Sequence, residues 1–196
     1  MLSFFHAQEK QLFIGNILFV VCCAFYLAWW LLAFNPSGAA NDMKTGWLLI
    51  PATIAGLAGV ILIIRGILAQ KPANQLLNSA FILWGGIALY LILLAVTVLL
   101  LKRPATTELI LIVGWAMLAL AEANSLFGIG RFSHGVSTGF FALISAAFVI
   151  SLVCYVLYYH LDSRVGYIDG MIPLLLSALI MAAISGFMLF TAFRKN

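Results

Sequence analysis

Apolar residues in this chain gather into six long stretches, separated by short polar segments rich in Gly, Pro, Asn, Lys and Arg. Each stretch has the roughly 20 apolar residues that a helix needs to cross the hydrocarbon layer of a bilayer. The pattern predicts an all-α polytopic membrane protein, a single transmembrane domain over residues 1–196 with six transmembrane helices in one bundle. The predicted helices cover about residues 11–34, 46–69, 78–101, 107–129, 136–160 and 169–193.

The composition agrees with this pattern. Hydrophobic residues make up 65% of the chain and charged residues 8%, whereas soluble domains have about 45–50% and about 25%. A water-soluble fold would have too few polar side chains to cover its surface, so we expect the lipid bilayer as a partner. The net charge of +4 comes mostly from connecting segments, and no basic run with interleaved aromatic residues lies outside the apolar stretches. We therefore expect no nucleic-acid partner.

The distribution of basic residues predicts the orientation. The side that holds both termini carries six of the ten Lys and Arg residues, and the other side carries four. Because cytoplasmic segments are enriched in Lys and Arg, we expect both termini in the cytoplasm and the protein in a bacterial inner or plasma membrane. The first apolar run is longer than the core of a signal peptide, so we expect the first helix to be retained as an anchor.

Two ionisable residues, Arg65 and Glu122, lie inside apolar stretches, where such groups are costly to insert and often functional. With both termini on one side, their depths in the bilayer differ by only about 4–5 Å at about 1.5 Å per residue. The hypothesis is that they meet or line the same water-filled vestibule. Three alternatives remain: Arg65 extends to the lipid headgroups, Glu122 is buried as a structural residue without a partner, or the two residues form a structural pair with no role in transport.

Other polar residues are expected at the depth of Glu122. On a helix, Trp115 and Ser125 share the face of Glu122 because they lie seven residues before it and three after it, while Asn124 points elsewhere. These positions predict a polar half of the bundle on the side of the termini. The further polar residues of this level are Asn16, Asn78, Asn124, Ser137 and Thr138.

Phe141, Phe148 and Tyr155 recur every seven residues on one face of the fifth helix. Such a stripe is usually packing. If it faces a pore instead, it would form a hydrophobic constriction of the kind that gates by dewetting. Both interpretations stay open at the level of sequence, and the stripe belongs with the polar residues above as a candidate transport path.

Small residues recur at the spacing that lets helices approach closely. Ala55 and Gly59 give one such step in the second helix, and Ala178, Ala182 and Gly186 give two in the last. Packing within one chain and an interface between copies of the chain both explain the pattern.

The chain lacks motifs for catalysis. It has no HExxH, no GxSxG and no phosphate-binding glycine loop, its three His residues are scattered, and its three Cys residues lack metal-type spacing. We therefore expect no enzyme activity, no cofactor and no metal.

The segment from Ile54 to Tyr90 reads IAGLAGVILIIRGILAQKPANQLLNSAFILWGGIALY. It resembles the second-to-third helix region of the acetate uptake transporter family, the succinate–acetate permeases. The family's Asn-Pro-x-Pro-Leu-Gly-Leu motif before the first helix is absent here. The resemblance implies a small monocarboxylate as solute and hexameric rings with a pore through each protomer. The matching residues are Asn78, Ala80, Phe81, Trp84 and Gly85.

Together, these features predict a small-solute membrane channel or transporter, best suited to a small monocarboxylate that moves with a proton. Glu122 would be the protonatable group, and Arg65 its partner or the attraction for an anion. The main alternative is a non-transporting scaffold or accessory subunit of a larger complex. A lipid-modifying enzyme of unfamiliar type is a third option, which would need a polar cluster that opens sideways to lipid.

Overall fold

The computed structural model describes residues 5–34, 45–70, 75–100, 102, 107–158 and 160–194. Six of its helices are long and apolar enough to cross a membrane, and the described residues include no strand. The prediction of an all-α bundle with six transmembrane helices is therefore confirmed. The helices are α1 Ala7–Ala33, α2 Leu49–Ala69 (after a 3-10 turn, Thr45–Leu48), α3 Ser79–Ala95 (followed by a π-helical turn, Val96–Leu100), α4 Thr107–Gly128, α5 His134–Leu157, α6 Ser163–Asp169 and α7 Ile172–Arg194.

Two helix boundaries differ from the prediction. The first helix begins at Ala7, ahead of the purely apolar run, and the Glu9 side chain accepts a hydrogen bond from the backbone N–H of His6 at 2.9 Å. At the other end of the chain, the predicted polar connection after α5 begins the short helix α6, because the Asp162 carboxylate accepts from the first free N–H groups of that helix. Asp169 ends α6 instead of opening the last membrane helix.

The fourth helix is the centre of the bundle. Of its most apolar 18-residue window, 61% is buried, against 17–33% for the other five spans. It packs mainly against α5 and α3, and also touches α2 and α7, while α1 packs along α2 and against α7. Five helices meet in one core, where a fully buried residue comes from each: Leu12, Ile63, Ala119, Ile144 and Met181.

Glycines let α1 and α2 pack closely. A Cβ atom at Gly59 would lie 2.9 Å from the carbonyl oxygen of Gly15, and one at Gly15 would lie 2.9 Å from that of Gly59. The small-residue step predicted in α2 thus packs within the chain. The step in α7 differs, because Ala182 and Gly186 are exposed and a Cβ at Gly186 would meet nothing within 4 Å.

The outer surface is apolar over most of the bundle. Large side chains of α2 and α3, such as Leu68 at 77% exposure and Trp84 at 67%, point away from the core. Surfaces of this kind are stable only when hydrocarbon replaces water around them. The apolar helices therefore contact a lipid bilayer. We use the term terminal side for the end of the bundle at which α1 begins and α7 ends, and far side for the opposite end.

Candidate functional site

The buried face of α1 carries a row of polar side chains at seven-residue spacing. Glu9, Asn16, Cys23 and Trp30 are all buried, and the spacing of two helical turns places them on one face. Each side chain of this α1 row makes a polar contact with a different part of the chain. The row therefore joins α1 to the rest of the bundle at four depths, from the terminal side to the far side.

The central contact of the α1 row joins Asn16 to Glu122. The Asn16 Nδ2 group donates a hydrogen bond of 2.7 Å to Glu122 Oε1, and both side chains have no exposed surface. The second oxygen of each group, Asn16 Oδ1 and Glu122 Oε2, is buried without a hydrogen-bond partner among the described residues. Such atoms are uncommon in folded proteins and call for an explanation.

The hypothesis of a pair between Arg65 and Glu122 is wrong. Arg65 is exposed, and Glu122 is bound to Asn16 instead. The reason lies in the rotation of α2, which turns the face of Gly59 and Ile63 towards α1. Arg65 follows Ile63 by two residues, which is about 200° around the helix, and so lies on the opposite side. Its position near the end of α2 fits the alternative that its side chain extends to the headgroups.

An ion pair closes the terminal end of the α1 row. Arg131 donates from Nε to Glu9 Oε1 at 2.5 Å and from an Nη to Glu9 Oε2 at 2.8 Å, and both side chains are more than 90% buried. The guanidinium also lies 5.7 Å from the ring centroid of Phe5, at cation–π distance. The hydrogen bonds to Glu9 raise the pKa of Arg131 above its usual value, which favours a charged guanidinium.

The turn between α4 and α5 positions Arg131. Gly130 has a φ of 71°, which glycine adopts at no steric cost. The N–H of Gly130 bonds to the carbonyl of Phe127, and that of Arg131 to the carbonyl of Leu126, each at 2.9 Å. This is the hydrogen-bond pattern of a glycine-terminated helix. It turns the chain sharply so that Arg131 points back towards the start of α1.

A cavity of about 590 Å³ opens at the terminal side beside this ion pair, a size typical of small-molecule sites. Gln70, the residue after α2, reaches into its wall. The Gln70 side-chain oxygen Oε1 accepts a hydrogen bond from the Ser125 hydroxyl, while the Nε2 group of the same amide is buried without a partner among the described residues. The cavity is lined by His6, Gln8, Glu9, Ala69, Gln70, Ile129 and Arg131.

The Gln70–Ser125 hydrogen bond connects the cavity to the centre of the bundle. Ser125 follows Glu122 by three residues, so the two side chains neighbour each other on one face of α4. All members of the resulting series are buried. We call it the polar column: Gln70, Ser125, Glu122 and Asn16. It leads from the cavity to a carboxylate inside the hydrophobic core.

The other predicted polar residues lie outside this column. Asn124 accepts from the N–H groups of Leu76 and Leu77 at 2.9 and 3.1 Å and donates to the Leu77 carbonyl at 2.8 Å, so it points elsewhere, as predicted, and holds the segment before α3. Asn78 is exposed just before that helix. Trp115 is 6% exposed, with its indole nitrogen unpaired among the described residues.

The aromatic stripe of α5 packs against other apolar residues of the bundle. Phe141 and Phe148 are partly buried against the main hydrophobic cluster. Tyr155 is 8% exposed and belongs to a second cluster with Leu109 and Val113, which Phe148 also touches. The stripe thus joins the two clusters, and its side chains are engaged with other apolar residues.

The α1 row continues towards the far side. The Cys23 sulfur lies 3.6 Å from the Ser177 hydroxyl oxygen of α7. The Trp30 indole N–H donates to the Tyr167 carbonyl of α6 at 3.0 Å. Sequence reasoning left Glu9, Arg131 and Ser177 out of the site, yet the regular spacing of residues 9, 16, 23 and 30 was a visible signal for the row.

The fold and the site define an integral membrane protein of six transmembrane helices with a cavity at its terminal side. Among the described residues, no group of three His, Cys, Asp or Glu side chains could hold a metal ion. In comparisons with known proteins, no family model, no curated protein and no solved structure matches this chain. The resemblance to the acetate uptake transporter family stays a prediction.

Proposed function

We propose that this protein moves a small carboxylate, together with a proton, across a membrane. The observation that carries the proposal is the polar column, whose buried side chains lie between an open cavity and the carboxylate of Glu122. Ionisable residues inside a membrane bundle are expensive, and proton relays are one of the functions for which they are retained. The charge count of the connecting segments supports a cytoplasmic terminal side, and thus a cavity that opens to the cytoplasm.

The chemistry of the cavity supports an anionic solute. The Gln70 side chain lines the cavity, and its Nε2 group is a buried donor without a partner among the described residues. A solute carboxylate accepts from such donors and would satisfy the Gln70 amide. Glu122, one step deeper, would bind the proton that accompanies the solute.

Flux measurements test this proposal directly. The purified protein is placed in proteoliposomes, and uptake of radiolabelled acetate is followed with and without a pH gradient. We expect Gln70→Leu to lower uptake and Glu122→Gln to remove its dependence on the gradient, while the exposed Arg65→Gln serves as the matched control and leaves both intact. Unchanged flux and pH profile in Glu122→Gln would remove Glu122 from the mechanism.

The exposed small-residue step of α7 favours a second candidate, a non-transporting accessory subunit. Ala182 and Gly186 leave room for another helix to approach closely. The same surface would serve an assembly of identical copies, as the resemblance implies. Stoichiometric copurification with an unrelated complex, together with no acetate flux from the purified chain, would favour the accessory role.

A further inference from the structure

The contact between Asn16 and Glu122 leaves a mismatch of donors and acceptors. Its single hydrogen bond uses one amide hydrogen and one carboxylate oxygen. If Glu122 is ionised, its Oε2 and the Asn16 Oδ1 are both acceptors, and neither has a partner among the described residues. An unsatisfied buried polar group is costly, and a buried carboxylate with one hydrogen bond is far costlier.

One proton removes this mismatch. A proton on Oε2 turns that atom from an acceptor into a donor, and the amide oxygen of Asn16, Oδ1, is an acceptor of matching chemistry. A carboxylic acid and a primary amide complement each other, since each offers one donor and one acceptor on the same edge. We infer that Glu122 carries a proton in this conformation and shares it with Asn16 as an acid–amide pair.

The charged groups around α4 do not offer an alternative explanation. Of the described cations on the elements packed against it, Arg131 is bound to Glu9. Arg65, His134 and Arg194 are exposed. A charge on Glu122 would thus lack a cationic partner among the described residues. Lys10 is half-buried in the first turns of α1, and the other titratable side chains of these helices lie in the far half of the bundle: Cys22, Cys23, Tyr26, Tyr90, Glu108, Cys154 and Tyr155.

The other members of the polar column lie between this proton and the cavity. Ser125 lies one turn from Glu122 and donates to Gln70, whose amide lies in the cavity wall. The transport meaning of the pair rests on the proposed function, in which the solute occupies that cavity. The protonation of Glu122 itself does not require any solute, so it can be measured on the protein alone.

Infrared spectroscopy of the full chain in lipid nanodiscs at neutral pH tests the inference. A protonated carboxyl group has a C=O stretch separate from that of carboxylates, and the band shifts when H₂O is replaced by D₂O. We expect this band in the unchanged protein and its loss in Glu122→Gln. Asp169→Asn, which removes another buried carboxyl group, is the matched control and should keep the band. Asn16→Ala should shift the frequency, because the acid loses its amide partner.

The absence of a D₂O-sensitive carboxyl band from the unchanged protein would overturn the inference, whether or not any variant folds. A band that survives Glu122→Gln and disappears in Asp169→Asn would also overturn it. The two proposals fail separately. A Glu122 band without acetate flux keeps the acid–amide pair and rejects the transport function, whereas proton-coupled flux without the band does the reverse.

Discussion

Helices α2 and α4 each carry one ionisable residue inside an apolar stretch, and the two residues differ in their exposure. Arg65 of α2 is exposed, while Glu122 of α4 has no exposed surface. The helices differ in the same sense, since 61% of the most apolar window of α4 is buried and 28% of that of α2. The sequence predicts a similar depth in the membrane for both residues, so depth alone would not account for the difference in their exposure.

Rotation of a helix about its axis decides which neighbours a charged residue contacts. α2 turns its glycine face to α1, which leaves Arg65 on the outside. A long, flexible side chain at such a position can extend to the headgroups. α4 is surrounded by other helices, so the Glu122 side chain has no exposed surface, and its hydrogen bond comes from Asn16. Two ionisable residues in similar apolar stretches therefore have different environments. Arg65 lies on the periphery of the bundle, and Glu122 lies in its core.

Charge reversal at the two positions should give the largest difference. We expect Glu122→Lys to lower the free energy of unfolding by about 3–5 kcal/mol, because it buries a cation with no partner. Arg65→Glu should stay within about 0.5 kcal/mol, as for other exposed sites. Unfolding in mixed micelles, followed by circular dichroism, measures both changes. Equal losses for the two variants would contradict the assignment of Arg65 to the outer surface.

Removing one member of the ion pair at the terminal side should lower the free energy of unfolding almost as much as charge reversal at Glu122. Removing one member, by Glu9→Ala or Arg131→Ala, leaves a largely buried charge alone and is expected to cost about 3 kcal/mol. The double variant should lose less than the sum of the single losses, because the two residues interact directly. The same unfolding assay provides the four values of this cycle. Strict additivity would show that the two side chains do not interact in the membrane.

A glycine packed against a neighbouring helix can be compared with a glycine on the open surface of the bundle. Gly59→Leu places side-chain atoms where the backbone of α1 lies, and we expect a loss of about 1–3 kcal/mol from this overpacking. Gly186→Leu on α7 is the matched control, since space around that residue is open. Thermal unfolding of both purified variants checks the prediction. Destabilisation by Gly186→Leu alone would point to a copy of the chain or another partner on α7.

The smallest effect concerns the neighbour of Glu122 that faces away from it. Asn124→Ala removes three hydrogen bonds to the backbone of Leu76 and Leu77, and we expect a loss of about 1–2 kcal/mol. Proton coupling in the flux assay should persist, because Asn124 is not part of the polar column. A variant that abolished coupling without loss of stability would place Asn124 in the transport path after all.

Sequence predicted the membrane class and the number of spans because hydropathy is a local property of each segment. It missed α6, since Asp162 and its neighbours match a polar turn as well as they match a helix start. It also assigned the wrong partner to Glu122. Seven-residue spacing identifies which α1 residues share a face, but it carries no information about which helix that face meets. Pairing depends on the rotation of every helix in the bundle.

The α1 row has a consequence for the order in which the chain can assemble during synthesis. α1 and α2 are consecutive and pack through their glycines, so this hairpin needs nothing that follows. The polar partners of the row come much later, 106 residues on for Asn16 and 154 for Cys23. α1 therefore lies in the membrane with most of these polar groups unpaired until α4 and the later helices arrive. A nascent chain that stops before α4 exposes these unpaired groups to the machinery that monitors membrane insertion.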